Sequence, residues 1–162
     1  MTHAAAADSE PAGASGTDRS VSIPEAAYSA PYEGNCPCLS GEAYLHCCGR
    51  FHRGDAEAPT AEQLMRSRYS AFVVRDAGYL LRTWHPDTRP AELEFDSGLQ
   101  WRRLDILSTS RGGPLDSEGV VEFAAHYRHE GERGLHRETS RFVRVDRRWY
   151  YLSGYESGGL AG

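Results

Sequence analysis

The chain has no lysine, and all 18 of its basic residues are arginine. It has no cysteine outside residues 36–48, and no apolar run near the roughly 18 residues that span a bilayer. The N-terminal stretch "HAAAADSEPAGASG" lacks a basic segment followed by an apolar one, which argues against a secretory leader and points to a reducing, cytoplasmic setting. P-loop, dinucleotide-binding, G-x-S-x-G and H-E-x-x-H motifs are all missing, so the common nucleotide-binding, serine-hydrolase and zinc-peptidase chemistries have no foothold. A basic stripe for nucleic acid is also missing. Residues 100–150 carry ten arginines against eight acids, and much of the net charge of −5 sits in residues 1–34.

What is present begins with an acidic, Ala/Ser/Pro/Gly-rich stretch over residues 1–32, without periodicity, which reads as a disordered tail. A cysteine segment follows over 33–53, and a third region over 58–156. Thr60-x-x-Gln63 is a capping box that starts a helix with Ala61, Leu64, Met65, Tyr69, Phe72 and Val73 at helical spacing. Asp76 caps a second helix carrying Tyr79, Leu80 and Trp84, which Pro86 stops. From residue 99 the period changes to two, and four strands with short turns at "EGERG" and Asp146–Arg147 predict an antiparallel sheet. Helices first and strands after define an α+β pattern, with helices packed on one face of a curved sheet.

All four cysteines fall in "CPCLSGEAYLHCCG". Bridges within Cys36–Cys38 or Cys47–Cys48 would be strained, and cross-pairing would be unusual in a reducing compartment. A metal reading needs two ligand pairs joined by a returning loop. Cys36 and Cys38 give one, Cys47 and Cys48 the other, and Ser40-Gly41 turns the chain between them. Four thiolates close a tetrahedral zinc site, which makes it structural rather than catalytic. His46 or His52 is the alternative ligand for one cysteine. Without metal so short a loop is expected to unfold while the sheet domain survives.

This stretch resembles the SEC-C motif, the zinc knuckle at the C-terminal end of the SecA translocation ATPase. Leu39 stands where that motif usually has glycine. With "RFHRGDAEAPTAEQLMRSRYSAF", "TWHPDTRP", "VEFAAHYRHEG" and "HRETSRFVR…RWYYLSG", the chain over about 33–156 resembles the YchJ-like family of uncharacterised bacterial proteins. The resemblance implies a nuclear transport factor 2-like cone preceded by a small zinc knuckle, with one structural Zn²⁺. It implies no activity. By likeness to SecA, it implies a protein partner docked on the knuckle, such as the ribosome or a secretion chaperone. The leading expectation is therefore a non-catalytic adaptor.

The alternative is an enzyme or ligand binder that uses the cone's pocket. The residues expected there are Trp84, His85, His136, Glu138 and Arg141. His136 and Glu138 share a strand face with Phe142 and form a carboxylate–imidazole pair able to move protons if they point inward. Glu122 and His126 make a similar pair, but Phe123 and Tyr127 mark the opposite face of their strand as the core side. Trp149, Tyr150, Tyr151 and Tyr155 are expected in strand packing and at an edge or homodimer surface.

Overall fold

The computed structural model describes residues 32–156; all of the expected tail except Tyr32 lies outside them. The cysteine segment is a tight loop closed on itself. Cys36 N–H donates to the Glu42 carbonyl at 2.8 Å, Tyr44 N–H donates to that of Gly34 at 2.9 Å, and Asn35 and Ala43 form an isolated bridge. Gly41, at φ +93°, makes the turn that the Ser-Gly pair predicted. A 3-10 turn over Tyr44–His46 leads into the short helix α1, Cys48–His52.

Helix α2 spans Ala61–Val74 and starts as expected, with Thr60 Oγ1 accepting from Gln63 N–H at 3.1 Å. It ends at Arg75, which adopts the left-handed conformation. Asp76 caps α3, Ala77–Arg82, by accepting from Tyr79 N–H at 3.0 Å. The chain then docks on the last strand: Tyr151 N–H donates to Thr83 O, and His85 N–H donates to Tyr151 O, both at 2.8 Å.

Four antiparallel strands follow in sequential order: β1 Leu99–Arg111, β2 Glu118–His129, β3 Glu132–Val145 and β4 Arg148–Glu156. Both tight turns use two residues with positive φ, Glu130-Gly131 and Asp146-Arg147, whose twist matches that of the flanking strands. The first is shorter than the sequence suggested, because Glu132, Arg133 and Gly134 already pair with β2. Register shifts at Trp101/Arg103, Ile106/Ser108 and Arg141/Phe142 interrupt the regular pairing, as bulges that bend and twist a strand do.

The inner face of the sheet carries Leu104, Val121, Phe123, Ala125, Phe142 and Trp149, packed against Leu64, Met65 and Tyr69 of α2 and Leu80 of α3. Phe51 of α1 belongs to the same core and is only 4% exposed. The cysteine loop is therefore not a separate appendage: the described residues, 32–156, belong to one compact unit. Arg82 Nη2 caps the end of α1 by donating to the carbonyls of Phe51 and His52 at 3.2 and 3.0 Å.

Candidate functional site

Helix α2 separates two constellations. One of its faces meets the cysteines. Ser70 Oγ lies 3.5 Å from Cys36 Sγ, and Arg66 Nη1 donates to the Cys38 carbonyl at 3.0 Å. The four Sγ atoms of Cys36, Cys38, Cys47 and Cys48 all lie within 4.8 Å of one another. Cys38 and Cys47 are separated by 3.6 Å, too far for a disulfide and close to the roughly 3.7–3.8 Å edge of a tetrahedron with 2.3 Å metal–sulfur bonds. Cys36, Cys38 and Cys48 are 1–2% exposed.

The clustered thiols shift one another's protonation. Hydrogen bonds from the Cys38 and Cys48 thiols pull the Cys36 pKa far down. Donating to Cys36 pushes Cys38 up to about 11, and hydrogen bonds with Cys36 and Cys38 together with burial push Cys48 up strongly. A cation bound among the sulfurs would favour deprotonation of all four thiols. The set fits a metal ion held by four cysteines.

Neither histidine belongs to this set. His46 is exposed. His52 is buried and engaged at both nitrogens: Nδ1 accepts from Tyr44 O–H at 2.6 Å and Nε2–H donates to the Ser67 carbonyl at 2.9 Å. Burial lowers its pKa, which suits the neutral ring this bridge requires. His52 ties the cysteine loop to α2 as a structural strut.

The other face of α2 looks onto a cavity of about 670 Å³ between the helices and the inner sheet. That volume is in the range of small-molecule sites. Trp101, Phe123, Tyr127 and Phe72 supply much of its apolar lining. At one place the wall is polar. Glu138 Oε1 pairs with His136 Nε2 at 2.8 Å, and its Oε2 accepts from Ser140 O–H at 2.7 Å and from Tyr151 O–H at 2.9 Å. An ionised carboxylate only accepts, so His136 carries its proton on Nε2. Nδ1 then faces Glu156 Oε2 at 3.4 Å.

Glu138 and the second carboxylate both raise the pKa of His136. Burial alone would raise that of Glu138, but the bonds from His136, Ser140 and Tyr151 outweigh it and the net shift is downward. Room for this carboxylate comes from Gly154, opposite Ser140 across the β3–β4 pair: a Cβ there would collide with the Glu138 side chain. Gly134 makes space in the same way for the ring of Tyr127.

Of the residues expected at the pocket, Trp84, His136 and Glu138 line the cavity. His85 does not: its backbone is pinned to Tyr151, and its ring turns to Tyr150 at 6.0 Å. Arg141 does not either, because strand alternation sends Ser140 and Phe142 inward and leaves Arg141 exposed on the outer face. Glu122 and His126 lie in outer-face pairs, Glu122 with Arg137 at 2.9 Å and His126 with Asp105 at 3.0 Å. The aromatic set divides. Trp149 is core, Tyr151 reaches the cavity, and Tyr155 is exposed.

Sequence reasoning missed Arg68, Ser140 and the role of Tyr151. Arg68 had a signal: it stands three and four residues after Met65 and Leu64, on the inward stripe of the helix. A charged residue inside an apolar stripe marks a polar group that the fold buries on purpose.

A curved four-stranded sheet, helices over its inner face and a cysteine knuckle packed on α2 define a nuclear transport factor 2-like α+β protein with an attached metal-site motif. The family described as YchJ, middle NTF2-like domain, matches residues 60–154. A UPF0225 protein of Streptomyces coelicolor is 56% identical over 119 residues, 74% of this chain and 93% of that protein. One from Corynebacterium glutamicum is 51% identical over 119 residues, covering 74% and 94%. The solution structure of a SEC-C motif containing protein from Rhodopseudomonas palustris superposes with a TM-score of 0.66 at 34% identity, over 75% of this chain and 98% of that one. The chain belongs to the YchJ-like (UPF0225) family. Among the described residues no helix is long and apolar enough to cross a membrane.

Proposed function

We propose that this protein binds a small organic molecule in the cone cavity, and that its four cysteines hold one structural Zn²⁺ that fixes the knuckle against α2. The observation that carries the reading is the inward-facing Glu138, held by three donors in the wall of a cavity of about 670 Å³. Polar groups so arranged in an apolar cavity orient a ligand. The zinc supplies cross-linking of the loop and no open coordination position. A reducing cytoplasm, where the thiols stay free to ligate, is the setting that goes with this reading.

The test uses protein labelled with ¹⁵N at its tryptophan indoles. Trp84 and Trp101 line the cavity, whereas the Trp149 indole N–H donates to the Pro59 carbonyl at 3.1 Å, away from it. Small-molecule extract from bacterial cells should move the Trp84 and Trp101 signals and leave that of Trp149 in place. An extract that moves none of them, or all three alike, argues against the reading.

A second reading, the knuckle as a docking element for a protein partner, is favoured by Leu39. This residue is 56% exposed and has φ +66°, and Leu45 of the same segment is 40% exposed. A leucine in the left-handed region costs about 1–2 kcal/mol, with its apolar side chain facing water. A partner surface covering Leu39 and Leu45 would offset that cost; the ribosome and a secretion chaperone are the candidates by likeness to SecA. Capture from lysate by wild type and by Leu39→Gly/Leu45→Ser, each with zinc content measured, tests it. Identical captured proteins would remove its support.

A further inference from the structure

Arg68 lies in the middle of α2, lines the cavity and is 4% exposed. Its Nη1 donates to the Leu80 carbonyl at 2.8 Å and to Thr83 Oγ1 at 2.7 Å. Its guanidinium carbon sits 4.6 Å from the ring centre of Tyr151 and 5.1 Å from that of Trp84. Burial lowers its pKa to about 10, so it stays charged at neutral pH.

Among the described residues no carboxylate forms an ion pair with it, and its Nε–H and Nη2–H groups have no acceptor. Glu138, whose field reaches Arg68, is already occupied by Ser140, Tyr151 and His136. Glu156 faces His136. The acids of the cavity are therefore supplied with donors, while its buried cation has neutral acceptors on Nη1 alone and none on its Nε–Nη2 edge. The free edge, Nε with Nη2, is a fork that matches the two oxygens of a carboxylate. The aromatic rings around the rest of the cavity suit a flat apolar body.

We propose that the ligand of this cavity is an aromatic or similarly flat organic carboxylate, its carboxylate seated on the Nε–Nη2 edge of Arg68 and its body against Trp101, Phe72 and Tyr127. This rests on the cavity being a ligand site, and the test separates the two claims. Wild-type protein with labelled indoles is titrated with cinnamate, 2-naphthoate and indole-3-acetate, and in parallel with the primary amide of each acid. The acids should move the Trp84 and Trp101 signals, leave Trp149 in place, and bind about 10- to 100-fold more tightly than their amides, the discrimination expected of hydrogen bonds to a charged group. Arg68→Lys, which keeps charge without the fork, should narrow that ratio.

Amides that bind as tightly as the acids would overturn the carboxylate assignment and leave the cavity reading standing. If neither series moves Trp84 or Trp101 at millimolar concentration, both claims fall. The acid–amide comparison is made on the wild type, so it does not depend on any Arg68 variant folding.

Discussion

Replacing Phe51 by alanine tests whether the cysteine knuckle and the sheet are one cooperative body. Phe51 lies one residue before the end of α1, three positions after Cys48, yet its ring is 4% exposed in the same core as Phe123, Phe142 and Trp149. Truncating a buried phenylalanine costs about 3–5 kcal/mol in transfer and cavity terms. Part of that loss falls on the Arg50 guanidinium, stacked 4.5 Å from the ring centre. For a domain of this size each kcal/mol shifts the midpoint by roughly 3–6 °C, so Phe51→Ala should melt about 9–30 °C below wild type.

The assay is thermal unfolding of zinc-loaded protein, followed by far-ultraviolet circular dichroism and by tryptophan fluorescence. The Trp101 and Trp149 indoles report the sheet and lie outside the knuckle. Both signals should move together in one transition. A fluorescence midpoint within about 2 °C of wild type, with only part of the helical signal lost early, would refute the reasoning and make the knuckle an independent appendage.

Zinc analysis of reduced protein should give one ion per chain, and Cys38→Ser should bring it near zero; retention of a full equivalent would remove Cys38 from the ligand set. Chelation should lower the midpoint of the whole unit rather than melt the loop alone, because His52 and Arg66 bind the loop to α2. Gly119→Ala should cost about 1–3 kcal/mol in a denaturant titration, since a Cβ there would lie 2.6 Å from Gly112 Cα and 2.9 Å from Ala61 Cβ. The His136–Glu138 pair predicts a pH window. The lowered pKa of Glu138 gives stability that is present above about 4.5 and lost as pH falls through its folded value. The raised pKa of His136 gives stability that is present below about 6.5 and lost as pH rises through its folded value. The stability difference between wild type and Glu138→Gln should therefore peak between about pH 4.5 and 6.5, and a difference that keeps growing to pH 9 would contradict the pairing.

The elements of the fold were largely legible because each has a local cause. Thr60 and Asp76 cap their helices through their own side chains, and the switch from helical spacing to alternation at residue 99 needs no tertiary information. The cysteine cluster was legible for the same reason, since all four cysteines lie within 13 residues. The cavity was only half legible. Alternation along β3 put His136 and Glu138 on one face with Phe142, but the composition of that strand does not say which face the helices cover. The register shift at Arg141/Phe142, which brings Tyr151 opposite Phe142 and allows its hydroxyl to reach Glu138, has no sequence signature. His85 looked well placed because it follows Trp84 at a helix end, but its position is decided by backbone bonds to β4, 66 residues later in the chain. Packing of Phe51 into the main core was equally hidden, because a lone aromatic in a short helix carries no period.

The measurement that bears most directly on the central claim is native mass spectrometry of the protein recovered from bacterial cells under reducing conditions, beside Ala125→Trp. Ala125 is buried in β2 and lines the cavity, so a tryptophan there fills much of the space a ligand would use. The account predicts that wild type carries one zinc and, in part of the population, one small organic molecule released on denaturation, while the folded variant carries zinc alone. The same organic adduct on both proteins, or none on either, would contradict it.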